Sequence, residues 1–422
     1  MLAASLIREH PDRVRQALSA RRDSGPLEQI LTLDRQRREL LQESQRLRQE
    51  RNAINELIKK AGQPTEEQRV LMRRLSEALR DIERHLQECE REFHDLLLRL
   101  PNLPHSSVPV GADESANVEI RRWGHPPAFP MSPSPHWEIG AKLGILDFER
   151  GVKIAGARFY LARGLGARLQ RALVAFFLDF HVKYQGYIEM GLPFVVKSAA
   201  MEGSGKLPKF AEDSYFLDQD DLWLNPTAEV PLTDLHRGEI LTAEQLPLRY
   251  TAYCPSWRRE AGAAGRDTRG LIRLHQFHKV EMYAFTCPEN SYEELDRMVK
   301  HAEEILQALG LYYRVIRLCT GDLSFAAADT YDIEVWLPGA QQFREIASIS
   351  NCEDFQARRA NIRFRRGERE RPEFVHTLNG SGLPIDRTIA AILENGQQHD
   401  GSVRLPAALQ PYMETDILRP EC

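Results

Sequence analysis

The chain of 422 residues is longer than one hydrophobic core usually supports, so its length predicts two domains. Hydrophobic residues make up 42% and charged residues 28%, which is ordinary for a soluble globular protein. The formal net charge of −5 argues against a protein that binds nucleic acid through a generally basic surface. It leaves a local basic surface open.

The cysteines and the N-terminus indicate a cytoplasmic protein. No two cysteines form a C-x-x-C pair and no His/Cys cluster has zinc spacing, so we expect reduced thiols and no zinc. The first residues carry charges too early for a signal peptide, and no apolar run approaches the roughly 18 residues of a membrane span. The six cysteines are Cys89, Cys254, Cys287, Cys319, Cys352 and Cys422.

The N-terminal part, residues 1–104, predicts a long helical hairpin over about 27–100. Its first helix repeats an apolar residue every seven positions, and the turn 61–64 separates it from a second helix whose apolar residues alternate spacings of four and three. This is the narrow seam of a coiled coil. The first seam is Leu33, Leu40, Leu47 and Ile54; the second is Leu75, Leu79, Ile82, Leu86, Cys89, Phe93, Leu96 and Leu100.

Two interpretations of this hairpin stay open, a dimerising coiled coil and a device that reaches a partner. Residues 27–100 carry 15 Lys and Arg against 15 Asp and Glu, so RNA binding requires arginines sorted onto one face. The candidates are Arg35, Arg38, Arg46 and Arg73.

Residues 101–135 are rich in Pro, Ser and Gly and indicate a linker. The strand-like segments that follow, with helices predicted over about 167–185 and 383–395, are typical of an α+β domain covering 105–422.

Residues 251–286 predict a long hairpin of strands around a basic loop. Its inner positions carry Arg258, Glu260, Arg273, His275, Phe277 and Glu281. Charged side chains and an aromatic ring that alternate along the same strands suggest a pocket for a charged, planar ligand such as ATP.

The run WRREAGAAGRDTRGLIRLHQFHKVE in this hairpin resembles motif 2 of the class II aminoacyl-tRNA synthetases, in the form found in bacterial seryl-tRNA synthetases. The resemblance extends over essentially the whole chain. Residues 167–193 resemble motif 1, which builds a homodimer interface in that family, and residues 374–395 resemble motif 3. It implies an antiparallel sheet of six to seven strands flanked by helices, with the N-terminal coiled-coil arm gripping serine tRNA.

The resemblance also implies site residues. Arg258 and Arg387 would hold the phosphates, Glu260 and Phe277 the adenine, and Glu345 with Ser348 would hold Mg²⁺ on ATP. The implied catalytic residues are Arg258, Arg387 and Glu345. The implied ATP-binding set is Arg258, Arg259, Glu260, Phe277, Glu345, Ile346, Ala347, Ser348 and Arg387. The implied serine-binding set is Thr227, Ala228, Glu229, Glu281, Asn379 and Ser381.

The implied reaction joins L-serine to ATP as seryl-adenylate and then transfers serine to the 3′ end of tRNA(Ser). Whether tRNA(Sec) is charged as well stays open. So does the effect of Ile349, which stands where the family usually has Cys and which can alter the pocket wall. Two other classes are weighed against this one. A carrier-protein ligase generally lacks a full arm, and a non-catalytic RNA-binding paralogue is expected to lose Arg258, Glu281 or Arg387.

Overall fold

A computed structural model describes residues 1–262, 265 and 269–420 of the chain. Residues 263, 264 and 266–268 of the basic loop, and residues 421 and 422, lie outside the described residues. The chain divides into an N-terminal unit (Met1–Ser19 and Asp23–Pro101) and a C-terminal unit (Ala20–Arg22 and Asn102–Cys422). The N-terminal helices are α1 (Ala4–Glu9), α2 (Pro11–Ala20), α3 (Leu27–Ala61) and α4 (Glu66–Leu97).

Helices α3 and α4 form the predicted antiparallel hairpin. Leu47, Leu75 and Leu79 are buried together, and the Arg37 guanidinium lies over the Phe93 ring at 5.0 Å. The turn between the helices follows from its residues. Gly62 ends α3 with φ of +82°, and Thr65 begins α4 with a capping box in which Thr65 and Gln68 bond to each other's backbone N–H.

The seam on α3 is only half apolar. Between the predicted leucines, Ser44 and Asp34 are buried, and Arg37 occupies a partly buried position where it pairs with Asp34 at 3.1 Å. Arg37 and Ser44 lie four residues after Leu33 and Leu40, at the intervening positions of the seam. Because these positions are polar, the sequence of α3 shows a repeat of seven without the intervening steps of three and four. On α4, Leu97 is buried, whereas the predicted seam residue Leu96 is only partly buried.

The C-terminal unit mixes helices and short strands around one large sheet. Its helices are α5 (His136–Lys142), α6 (Phe148–Ala155), α7 (Leu165–Gln185), α8 (Ser198–Gly203), α9 (Glu229–Asp234), α10 (Ser291–Ala308), α11 (Phe355–Ala360), α12 (Ile385–Gly396) and α13 (Gln410–Met413). Its strands are β1 (Val118–Trp123), β2 (Leu146–Asp147), β3 (Leu161–Ala162), β4 (Ile188–Glu189), β5 (Val195–Lys197), β6 (Phe216–Leu217), β7 (Leu222–Leu224), β8 (Ile240–Thr242), β9 (Leu248–Trp257), β10 (Gln276–Thr286), β11 (Tyr313–Arg317), β12 (Asp329–Leu337), β13 (Gln342–Asn351), β14 (Arg363–Arg365), β15 (Glu373–Phe374), β16 (His376–Pro384), β17 (Val403–Arg404) and β18 (Ile417–Leu418).

The large sheet has eight strands in the order β1-β11-β12-β13-β16-β10-β9-β4. All neighbours are antiparallel except β4 and β9 at one edge, which are parallel. The prediction of an α+β fold with an antiparallel sheet and a helical arm is confirmed. The sheet is one or two strands wider than predicted because β1 and the two-residue β4 add to its edges.

Helices α7, α10 and α12 pack against the sheet. Their buried side chains Phe177, Met298 and Leu393 belong to one apolar cluster with Val280 of β10 and Ile333 of β12. The sequence patterns predict no helix at α10. They also predict that the second hairpin strand begins at residue 271, whereas β10 begins at Gln276 and residues 271–275 are bends and irregular backbone. Among the described residues, no helix is long and apolar enough to cross a membrane.

The hairpin core generates a test of the predicted seam. Leu79 is 3% exposed, whereas Leu71 on the same helix is 46% exposed. We expect Leu79→Ala to lower the free energy of unfolding of the hairpin by about 2–5 kcal/mol, because it removes buried methyl groups and leaves a cavity. Leu71→Ala is the matched control, with a change within about 0.5 kcal/mol. Hydrogen exchange of the α3 and α4 amides measures both, and equal protection in the two variants would contradict the seam.

Candidate active site

A cavity of about 360 Å³ lies on one face of the sheet in the C-terminal unit. Strand alternation explains how β10, β13 and β16 line it. Phe277, Lys279 and Glu281 are spaced by two along β10 and share a face, and cross-strand pairing sets Glu281 opposite Ser381. The next pair, Ser350 opposite Asn379, continues the lining onto β13.

Most of the residues that the resemblance singled out meet in this cavity. Those lining it are Thr227, Glu229, Arg258, Glu260, Phe277, Glu281, Glu345, Ile346, Ser348, Asn379, Ser381 and Arg387. Three do not line it: Ala228 and Ala347 are fully buried, and Arg259 lies over the Tyr215 ring at 4.6 Å. His275, an inner position of the predicted hairpin, instead has its Nδ1 3.0 Å from the backbone oxygen of Arg258.

One end of the cavity holds two carboxylates, each paired with a lysine. Glu281 Oε2 lies 2.5 Å from Lys279 Nζ and accepts a hydrogen bond from Thr227 Oγ1 at 3.0 Å. Glu229 Oε2 lies 2.8 Å from Lys206 Nζ, and its Oε1 accepts from Gln356 Nε2 at 2.8 Å. Burial raises the pKa of Glu281, while Lys279 acts in the opposite direction.

The other end is cationic and aromatic. The Arg258 guanidinium lies over the Phe277 ring at 5.0 Å, and its Nε donates to the Pro226 oxygen at 3.3 Å. Arg273 donates to Glu260 at 2.8 Å. A planar group inserted here meets one ring face and fixed guanidinium groups, which suits an aromatic base carrying phosphates.

Arg387 and Glu345 also line the cavity, where they pair with each other and stay partly exposed. Arg387 Nη1 lies 2.8 Å from the Glu345 backbone oxygen and 3.0 Å from its Oε1. The Arg387 charge lowers the pKa of Glu345, so this carboxylate is ionised at neutral pH. Behind it, burial and the Glu345 charge raise the pKa of Asp332, whose Oδ1 is buried and has no hydrogen-bond partner among the described residues.

Several lining residues were absent from the predicted site. Lys279 could have been found, because it lies between Phe277 and Glu281 on the same face of β10. Lys206 follows α8 and lies in none of the three motifs, and no sequence pattern connects it to Glu229. Among the described residues, no group of three or more His, Cys, Asp or Glu side chains is arranged to hold a metal ion.

A steric constraint explains why position 382 is a glycine. A Cβ at this position would lie 2.5 Å from His181 Nε2, and the same nitrogen is 3.2 Å from the Gly382 carbonyl oxygen. Any side chain here would push the motif 3 strand away from α7.

Ile349, the departure from the family pattern, is fully buried in the core cluster and does not line the cavity. The concern that it alters the pocket wall is therefore not supported by its position.

Comparison with known proteins gives a consistent result over the whole chain. Residues 1–104 match the seryl-tRNA synthetase N-terminal domain, and residues 214–396 match the tRNA synthetase class II core domain (G, H, P, S and T). A serine–tRNA ligase from Geobacter sulfurreducens is 53% identical over 415 residues, 98% of each chain. One from Carboxydothermus hydrogenoformans is 52% identical over 419 residues, 99% of each chain. The crystal structure of a Pyrococcus horikoshii seryl-tRNA synthetase complexed with ATP superposes with a TM-score of 0.94 at 40% identity, covering 100% of both chains.

The buried imidazole of His181 generates a prediction for pH. Burial lowers its pKa from the ordinary 6.5 to about 4, so between these values the unfolded chain binds more protons than the folded chain. Stability is therefore lost as pH falls through this window. We expect about 2 kcal/mol of pH-dependent loss from this group between about pH 7 and pH 5.

The measurement is the free energy of unfolding by denaturant at both pH values, for the parent and for His181→Asn, which cannot ionise. His181→Asn lowers stability at pH 7 through lost packing, and only the difference between the two pH values is compared. A variant whose pH-dependent loss equals that of the parent would contradict the assignment.

Proposed function

The chain belongs to the seryl-tRNA synthetase family and is a ligase that joins serine to tRNA with ATP, and from this premise we propose how its own residues divide the work. Serine's carboxylate attacks the α-phosphate of ATP, giving seryl-adenylate and pyrophosphate. A ribose hydroxyl at the 3′ end of tRNA then takes the seryl group from AMP. The single observation that carries the assignment of roles is that one cavity joins a cationic, aromatic end to an end lined by paired carboxylates.

ATP occupies the cationic end. Phe277 stacks on adenine with Arg258 on the side of the α-phosphate, Glu260 faces the adenine amino group, and Arg387 meets the terminal phosphates. Attack on the α-phosphate spreads charge over its equatorial oxygens, and a guanidinium already fixed by the Pro226 carbonyl stabilises that charge without reorganisation. The protein therefore contributes position and charge, with little proton transfer of its own.

Glu345 and Ser348 would hold the Mg²⁺ that accompanies ATP. The fit rests on the ionised carboxylate of Glu345, the hydroxyl of Ser348 three residues along β13, and the unpartnered Oδ1 of Asp332, which pairs with Ser348 across the strands. These are hard oxygen ligands of the kind Mg²⁺ prefers. Bound there, the ion neutralises phosphate charge.

Serine occupies the carboxylate end. Lys279 and Thr227 both contact Oε2 of Glu281, and its Oε1 accepts no hydrogen bond from the described residues. Oε1 therefore accepts a hydrogen bond from the substrate ammonium, and the Thr227 hydroxyl also contacts the substrate. Glu229, Asn379 and Ser381 surround the substrate hydroxyl. An amino acid without that hydroxyl would leave buried polar groups unpaired. This discriminates between substrates more strongly than the fit of an apolar pocket does.

Glu281→Gln tests the serine end. The substitution keeps the shape but removes the negative charge, and loss of a charge-assisted hydrogen bond predicts a rise in KM for serine of about 10- to 100-fold. KM for ATP stays within about threefold, since the cationic end is untouched. Serine-dependent exchange of pyrophosphate into ATP measures both constants.

The matched control is Glu303→Gln. Glu303 is also buried and pairs with Arg121, but it lies outside the cavity. It should lower stability and leave both KM values near those of the parent. An increase in KM for ATP equal to that for serine in Glu281→Gln would contradict the assignment of Glu281.

The hairpin of α3 and α4 binds tRNA. Its near-balanced charge suits recognition of RNA shape and backbone by placed arginines. Arg35, Arg38 and Arg73 are exposed and are the stronger candidates. Arg46 bonds to both Glu43 and Glu50 at 2.5 Å, so its charge is offset before RNA arrives.

Deleting residues 28–100 separates the two steps. We expect the truncated protein to lose attachment of labelled serine to total bacterial tRNA while keeping serine-dependent pyrophosphate exchange within a few-fold, because every lining residue of the cavity lies between 206 and 387. The full chain charging serine-type tRNA is the reference. Equal loss of both activities, with the C-terminal unit still folded by circular dichroism, would instead indicate a structural role for the hairpin.

The protein acts as a homodimer in the cytoplasm. Support for the dimer comes from exposed apolar side chains at the end of α7 and along the segment after it, beside the short edge strand β4: Val182, Tyr184, Ile188 and Phe194. Such a patch on a sheet edge marks an interaction surface. The cysteines of the described residues are free thiols, as expected in a reducing compartment.

A further inference from the structure

The side chain of Asp386 connects the two elements that carry Phe277 and Arg387. It is 1% exposed, and it lies in the first turn of α12, one residue before Arg387. Its Oδ2 accepts a hydrogen bond from the backbone N–H of His278 at 2.6 Å, and His278 directly follows Phe277. One carboxylate therefore lies one residue from each of two groups proposed to hold ATP.

The end of strand pairing explains why this bond matters. The pairing of β10 with β16 runs from Thr286 to Lys279, opposite Pro384. At His278 the chain of β16 has already turned into α12, so the strand next to β10 no longer supplies a backbone acceptor. The Asp386 carboxylate takes its place and fixes the last residues of β10, which carry Phe277, onto the start of α12.

A second bond prevents the carboxylate from rotating away. The Tyr160 hydroxyl donates to Asp386 Oδ1 and in turn accepts from Gln170 Nε2 at 2.7 Å. Tyr160 lies just before β3, and Gln170 lies on α7. An aspartate that only capped α12 would bond to the N–H groups of that helix, whereas both oxygens of Asp386 bond to groups from other elements.

We infer that Asp386, held by Tyr160, is a positioning residue that fixes Phe277 and Arg387 relative to each other, and with them the adenine and phosphate ends of ATP. The inference rests on the proposed roles of those two residues. Its consequence is specific: the separation of the two ends matters to ATP and not to serine. The serine end is built on Glu281, Thr227 and Glu229, none of which contacts Asp386 in the described residues.

The test compares substitutions along this connection by serine-dependent pyrophosphate exchange. Asp386→Ala removes both bonds, and we expect KM for ATP to rise about tenfold while KM for serine stays within about twofold. Tyr160→Phe removes one bond and should raise KM for ATP about threefold. Asp386→Asn should restore KM for ATP to within about threefold of the parent, because its amide oxygen still accepts from His278 and its NH₂ can donate to the Tyr160 hydroxyl.

The matched control is Tyr253→Phe. The Tyr253 hydroxyl lies 2.7 Å from Nδ1 of the same His278, so the substitution removes a bond of the same kind from the ring while Asp386 keeps its contacts. Both KM values should stay within about twofold of the parent. Thermal unfolding of each variant shows whether the fold is retained at the assay temperature.

The outcomes distinguish the inference from its premise. A selective rise in KM for ATP in Asp386→Ala, with rescue in Asp386→Asn, supports the positioning role. Equal rises in both KM values, or an unchanged KM for ATP in folded Asp386→Ala, would overturn the positioning role. The proposed ATP and serine site would then still be supported by the pyrophosphate exchange of the parent protein. If Phe277→Ala and Arg387→Ala also leave KM for ATP unchanged, the proposed ATP site fails and the inference fails with it.

Discussion

Charge buried in the cavity is balanced within the cavity, and this constraint governs how the rest of the site is built. An isolated carboxylate in a dry pocket is costly, and it either finds a cation or becomes protonated. Here Glu281 pairs with Lys279 two residues along the same strand, and Glu229 pairs with Lys206 from a distant loop. Each of these two pairs is therefore close to neutral before any ligand enters, and its charged groups are already fixed in position.

Much of this arrangement follows from the sequence, because strand alternation is a local property. Once β10 is a strand, Phe277, Lys279 and Glu281 must share a face, and a one-residue slip against β16 would move Ser381 away from Glu281. The fold class and the arm could be predicted on that basis together with the resemblance, and twelve of the fifteen implied ATP- and serine-binding residues line the cavity. The limits of the elements were less predictable, since residues 271–275 look like strand but form bends.

What the sequence could not supply are contacts between segments that have no common pattern. Lys206 meets Glu229, and Tyr160 meets Asp386 across 226 positions of sequence, and neither pair has a periodic signal. The seam of α3 could be predicted only in part, for a different reason. Its alternate positions hold Arg37 and Ser44, and Asp34 is buried beside them. A search for apolar periodicity therefore sees half of the helix interface, although these polar residues are packed into it.

The same alternation decides which departures from a family pattern matter. Ser348 and Ser350 point into the cavity, so the residue between them must point into the core. At that position Ile349 packs against Gly380, where an added Cβ would lie 3.0 Å from its side chain. A larger apolar residue is tolerated there because Gly380 leaves room on the neighbouring strand. Ile349 is thus accommodated by core packing on the side of the sheet away from the cavity, and the polar face that lines the cavity keeps its residues and its register.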